Sequence, residues 1–273
     1  MIFLPPFSRL DVLFTPHASN NDASPLNLTI PKRGCLKLHL RQPPHLKTKM
    51  FDFHLHTKIS HDSREEPLAM VKRAEELGLS EICFTDHYDA TPTPGETEYI
   101  FDIDGYLGAY SNLTSDKLKI RRGIEFGLVD YNVGEMKRIG EIIKPDFVIG
   151  SVHFADGLEM YQREFWQDRS IEDGFEVFLK QELKCVTLHD DFDVLGHINY
   201  VCKSPFNPTR KPLCYKDFPE HYDKIMKTLI EKGKGLEINT SGVDRVGIFL
   251  PDFDCIRRFR DLGGKIVTGY SSR

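Results

Sequence analysis

Phe51-Asp52-Phe53-His54-Leu55-His56 has the character of a short β-strand, in which positions i and i+2 share a face, so His54 and His56 point the same way. Two neutral imidazoles about 7 Å apart along one strand face can chelate a single divalent ion. Taken alone, the pair reads more often as two satisfied core histidines. The rest of the chain decides the matter. Short apolar or β-branched runs recur at 81–85, 119–126, 147–153, 193–198, 235–239 and 265–268. Between them lie helix-period segments at 67–77, 171–188, 218–231 and 253–262, with Pro67 opening the first and Gly78, Gly233 and Gly263 closing three of them. Strand–helix alternation predicts a mostly parallel α/β sheet.

Seven such strands fit a closed or nearly closed barrel, or a doubly wound open sheet. A barrel concentrates reactive side chains where its strands end. His54 and His56 end the first strand, His87 follows the second, and Glu125 sits near the end of the third. His153 ends the fourth and His197 lies in the fifth. No glycine-rich nucleotide-binding fingerprint or phosphate loop is present. The barrel is the expected architecture.

Each candidate has a bland alternative. Asp62, in the loop above the first strand, reads by itself as a solvated carboxylate. Within Thr85-Asp86-His87, Asp86 reads as a helix cap and His87 as a surface residue. Glu125 differs, because Ile124 and Phe126 flank it. A buried lone carboxylate costs several kcal/mol unless paired or bound to metal, so Glu125 requires a partner. His153 and His197 each read alone as core histidines. Recurrence changes the weighing: five successive strands deliver His or Glu to one face, where unrelated core histidines would scatter.

Composition agrees with a globular protein. The 273 residues are 40% apolar and 28% charged, with a net charge of -5, which argues against a general nucleic-acid binder. No apolar run approaches the roughly 18 residues of a membrane span. The six cysteines form no CxxC pair and read as free thiols of a reducing cytoplasm. Residues 1–49 carry a balance of +5 and seven of the sixteen prolines. They are expected to be a disordered or non-native leader, ahead of a single domain over 50–273.

HxH, then TDH, a strand-end Glu, SVH and GH resemble the PHP (polymerase and histidinol phosphatase) superfamily over residues 50 to about 269. The stretches EICFTDHYD, DFVIGSVHFADG, FDVLGHINYV and KGLEINTSG resemble its histidinol-phosphatase branch. The resemblance implies a distorted (β/α)7 TIM-like barrel of PHP type. It also implies three divalent metals of the Zn, Mn or Fe class, which suit mixed imidazole and carboxylate ligands. By motif position, His54, His56 and Glu125 hold one metal, Glu125 with His153 and His197 a second, and Asp62 with His87 the third. Glu125 and His197 carry the catalytic assignment. The implied substrate is L-histidinol phosphate, hydrolysed to L-histidinol and phosphate in L-histidine biosynthesis. Arg169 and Lys203 are candidates to grip its phosphate, with a solvated loop charge as the plain alternative for each.

The chain departs from the family at its end. Ser271 stands where the family has an Asp ligand and Arg273 where it has a His ligand, and the closing segment of the barrel is expected to be lacking. A serine is a poor replacement for a bridging carboxylate, and an arginine repels a cation. This leaves a truncated or frame-shifted form of an active enzyme, the favoured expectation, or an impaired metal-binding protein. A PHP phosphoesterase for another small phosphate ester is the alternative within enzymes. A polymerase-associated module is disfavoured by the absence of a basic patch.

Overall fold

Seven parallel strands form one sheet in the order β1-β2-β3-β4-β7-β8-β9, in a computed structural model that describes residues 49–90 and 99–271. The expected leader, apart from Lys49, and Arg273 lie outside the described residues. The strands are β1 (Phe51–Leu55), β2 (Glu81–Tyr88), β3 (Lys119–Gly127), β4 (Phe147–Ser151), β7 (Val194–Leu195), β8 (Gly235–Asn239) and β9 (Ile266–Gly269). A small antiparallel hairpin, β5 (Phe154–Ala155) with β6 (Leu158–Glu159), follows β4. The first and last strands pack against each other. The backbone N–H of Ser271 donates to the His54 carbonyl at 2.9 Å, and the N–H of Tyr270 donates to an Asp52 carboxylate oxygen at 3.2 Å. The result is the expected barrel, nearly closed. It is distorted where β7 is short, pairing with β4 through only Ile149↔Val194 and Gly150↔Leu195.

Helices cover the outside. They include α1 (Pro67–Glu76), α2 (Ile103–Ser111), α3 (Val133–Ile143), the single turn α4 (Arg163–Trp166) and α5 (Ile171–Leu188). After two 3₁₀ turns come α6 (Pro219–Glu231), the short α7 (Gly242–Val246) and α8 (Phe253–Asp261). The Ser170 side chain caps α5 by accepting from the Asp173 N–H, satisfying one of the orphan donors of a helix start. That helix buries Phe175, Phe178, Leu179 and Val186, each worth about 1.5–3 kcal/mol of apolar transfer. It packs against α6, which buries Tyr222, Ile225, Met226 and Leu229.

Besides the short α4 and α7, two longer helices were not legible as periodic segments. Both α2 and α3 contain two glycines, which lower helix propensity by up to about 1 kcal/mol each. Burial of Tyr106 and Tyr110 in α2, and of Met136, Ile139 and Ile143 in α3, makes them helices in context. The fourth and fifth strands end earlier than their apolar runs, at Ser151 and Leu195, so His153 and His197 sit in the loops just beyond.

The inward face carries the site. Cys83, Phe147, Ile149, Val194 and Phe53 form a small apolar cluster. On β2 and β4 the same face continues through Thr85 to His87 and through to Ser151. Polar side chains therefore gather at the carboxyl-terminal ends, above an apolar plug. Among the described residues, Cys83, Cys185, Cys202, Cys214 and Cys255 are free thiols. No helix among them is long and apolar enough to cross a membrane.

Candidate metal centre

Glu125 is the hub. It is fully buried, and its position two residues before the carboxyl end of β3 aims it into the barrel mouth. Its Oε2 lies 3.0 Å from His54 Nε2, 3.2 Å from His56 Nε2 and 3.3 Å from His87 Nδ1. Its Oε1 lies 3.0 Å from His197 Nε2 and 3.4 Å from His153 Nε2. The Ser151 hydroxyl donates to the same Oε1 at 2.7 Å. One carboxylate thus faces five imidazoles drawn from four strands or the loops after them. The His54 and His56 rings stack with centroids 4.9 Å apart, closer than a regular pleat sets i and i+2, and the register of β1 on β2 shifts between Asp52 and Leu55.

Asp62 joins from the loop after β1. Its Oδ1 lies 3.2 Å from His56 Nδ1 and its Oδ2 3.6 Å from His87 Nε2. All seven residues expected to hold metal therefore come together. Their donor atoms form three sets within ion-binding reach: His54, His56 and Glu125; Glu125, His153 and His197; and His56, Asp62 and His87. A fourth set is His87, Asp89 and His153.

The donors fit divalent cations. His56 Nε2, His153 Nε2 and His197 Nδ1 are buried and make no hydrogen bond, an arrangement that costs free energy unless a cation accepts the lone pairs. Neutral imidazoles with carboxylates are the donors that Zn, Mn and Fe prefer. The electrostatics are divided. Burial would raise the Glu125 carboxyl, but the adjoining His87 and His54 hold it well below the ordinary range. Burial likewise disfavours the His54 cation, yet Glu237 and Glu125 lift that ring to about 10. At His197 burial prevails and lowers the ring to about 4.

Two carboxylates at the site were missed. The Glu237 Oε1 lies 2.5 Å from His54 Nδ1, and its Oε2 accepts from the His197 backbone N–H at 2.9 Å. The signal was present, because Leu236 and Ile238 flank Glu237 as Ile124 and Phe126 flank Glu125. The Asp89 Oδ2 lies 3.0 Å from His153 Nδ1 and 3.1 Å from His87 Nδ1. Asp89 follows His87 by two residues, the same spacing that joins His54 to His56.

The two candidate phosphate-gripping cations have different settings. Lys203 is buried, with its Nζ 3.3 Å from Ser241 Oγ and 5.7 Å from the Tyr200 ring centroid. The Tyr200 ring in turn lies 4.8 Å from that of His197. Arg169 pairs with Asp156, donates to the Phe165 carbonyl at 2.6 Å and stacks over the Phe165 ring. A cavity of about 250 Å³ opens over the site, with His87, Asp89 and His153 in its wall beside Tyr99, Tyr161 and Tyr200. Ser271 reaches the site through its backbone, at the His54 carbonyl.

Known proteins share this architecture. A family model described as PHP domain matches residues 52–241. The histidinol-phosphatase of Lactococcus lactis subsp. lactis is 32% identical over 225 residues, covering 81% of this chain and 82% of that protein. A Clostridium acetobutylicum protein named "Probable histidinol-phosphatase" is 28% identical over 219 residues, covering 80% and 84%. A crystal structure of the Lactococcus lactis histidinol phosphate phosphatase complexed with zinc, L-histidinol and phosphate superposes with a TM-score of 0.75. It is 31% identical and covers 82% of this chain and 88% of that one.

Proposed function

The chain belongs to the PHP domain family, and we propose that it is a histidinol-phosphatase, a phosphoric monoester hydrolase that converts L-histidinol phosphate to L-histidinol and inorganic phosphate in L-histidine biosynthesis. The observation that carries this reading is the buried Glu125 carboxylate with ring nitrogens of five histidines at 3.0–3.4 Å. His54, His56 and Glu125 would hold one divalent ion, Glu125, His153 and His197 a second, and His56, Asp62 and His87 a third. Bound there, such ions supply Lewis-acid charge for phosphoryl oxygens and lower the pKa of water toward neutrality.

The chain's own residues contribute the rest. Glu125 shares one negative charge between two ion sets, and Ser151 keeps its carboxylate in one rotamer. Burial is what lowers the protonation of His197, with the Lys203 charge adding a little in the same direction, and as a buried cation Lys203 favours an approaching phosphate dianion. Tyr99, Tyr161 and Tyr200 give the cavity aromatic walls, which suit the imidazole of the substrate. The free thiols support an assignment to the reducing cytoplasm.

The test is phosphate release from L-histidinol phosphate by the purified 273-residue chain reloaded with zinc or manganese, beside a chelator-treated control and a panel of other phosphate monoesters. Chelator-sensitive turnover selective for the amino-alcohol phosphate is expected. Selective turnover of a different ester would overturn the substrate. Absence of turnover in a folded, ion-bearing protein would overturn the enzymatic reading in favour of a metal-binding protein.

A further inference from the structure

His54 and His153 are held in the same way from opposite sides of Glu125. His54 presents Nε2 to Glu125 Oε2 at 3.0 Å and Nδ1 to Glu237 Oε1 at 2.5 Å. His153 presents Nε2 to Glu125 Oε1 at 3.4 Å and Nδ1 to Asp89 Oδ2 at 3.0 Å. Neither Glu237 nor Asp89 belongs to the seven residues assigned to metal. An ionised carboxylate only accepts hydrogen bonds, so a carboxylate at Nδ1 places the ring hydrogen there and leaves the Nε2 lone pair for an ion. His54 belongs to the set with His56 and Glu125, whereas His153 belongs to the set with Glu125 and His197 and to the fourth set with His87 and Asp89, to which the three-ion reading assigns no ion.

Both outer carboxylates are themselves anchored. Glu237 accepts from the His197 backbone N–H at 2.9 Å and from Asn239 Nδ2 at 3.3 Å. The Asp89 backbone exchanges two hydrogen bonds with Tyr99, at 2.9 and 3.0 Å. Its carboxylate sits over Gly127, where an added Cβ would fall 2.1 Å from Asp89 Oδ1. His87 Nδ1 approaches the same Asp89 oxygen at 3.1 Å but makes no hydrogen bond, so the oriented ring is that of His153.

We propose that Glu237 and Asp89 are positioning residues, each fixing the Nδ1–H tautomer of one ligand histidine, His54 and His153 respectively, and so each governing the affinity of a different ion. The inference rests on the ion-binding reading above. Loss of such an outer partner typically weakens metal affinity about 10–100-fold.

The experiment measures zinc stoichiometry and affinity by chelator competition for the full chain and for Glu237→Gln, Asp89→Asn and the double variant. Each single variant is expected to weaken one ion about 10–100-fold, and the double variant to weaken two. Gly127→Ala, whose added Cβ would meet Asp89 first, is expected to reproduce the Asp89→Asn profile. Unaltered affinities, uniform weakening of every ion, or weakening of the same ion by both single variants would overturn the proposal while leaving the ion-binding reading intact. A parent chain that binds no zinc would overturn both.

Discussion

The Ser151 hydroxyl donates to Glu125 Oε1 at 2.7 Å, joining the end of β4 to the side chain that five histidines share. The contact is fully buried and its acceptor is ionised, which makes it one of the stronger hydrogen-bond types.

Ser151→Ala removes that donor without changing the backbone. The variant is expected to lose about 1.5–3 kcal/mol of stability and to bind zinc more weakly, because Glu125 is freed to rotate. Denaturant unfolding and chelator competition check the two effects.

Glu125→Gln takes away the charge that two ion sets share. Zinc content is expected to fall by about two ions per chain. Phosphate release should drop about 10³-fold or more, in line with the several kcal/mol that metal ions contribute. Elemental analysis beside an assay at saturating substrate reads both quantities, and full activity in the variant would contradict the assignment of Glu125.

Lys203 and Arg169 are separable. Lys203→Met is expected to lower kcat/KM about 10–100-fold, the equivalent of about 1.5–3 kcal/mol for a hydrogen bond to a charged group. Arg169→Ala is expected to act mainly through the tie to Asp156 and Phe165, with a smaller kinetic effect. Steady-state kinetics on the two variants would contradict this ordering if Arg169→Ala proved the more damaging.

Glu182 gives a pH signature away from the metal centre. It lies on the buried face of α5, and neither carboxylate oxygen has a hydrogen-bond partner. Burial alone raises its carboxyl well above the ordinary 4.5. The folded chain keeps the proton while the unfolded chain releases it, so this residue's penalty appears as pH rises past that ordinary value. It grows by about 1.4 kcal/mol per pH unit until the folded form ionises as well. Glu182→Leu is expected to be more stable than the parent at pH 8, with the difference shrinking toward pH 4. Paired urea titrations across that range check the slope.

Removing ions should destabilise the fold. The donor sets exist only in the folded chain, so free zinc at a hundredfold excess over Kd adds about 2.7 kcal/mol per site. A chelator should therefore lower the melting temperature, and a melt unchanged by chelator would contradict the ion-binding reading.

Much of the site was legible because strand chemistry is local. His54-Leu55-His56, the carboxylate of Glu125 between Ile124 and Phe126, and the histidines after two later apolar runs each announce themselves within a few residues. The same logic reaches Glu237 between Leu236 and Ile238, and the i+2 step from His87 reaches Asp89. The helices α2 and α3 were hidden for the opposite reason. Their glycines mask the periodicity, and burial of Tyr106 and Ile139 against the barrel makes them helical.

The sequence by itself determined the strand–helix alternation, the barrel expectation and the strand-end cluster of His54, His56, His87, Glu125, His153 and His197, since these follow from pleat, period and the cost of burying charge; Asp62 entered the set only through the resemblance to the PHP family. Only the tertiary structure decided which atom of each ring faces which carboxylate. His54 Nδ1 meets Glu237 across 183 residues of chain, and His153 Nδ1 meets Asp89 across 64. Contacts at such separations are set by barrel closure, strand register and the room left at Gly127, none of which is written in any local stretch of residues.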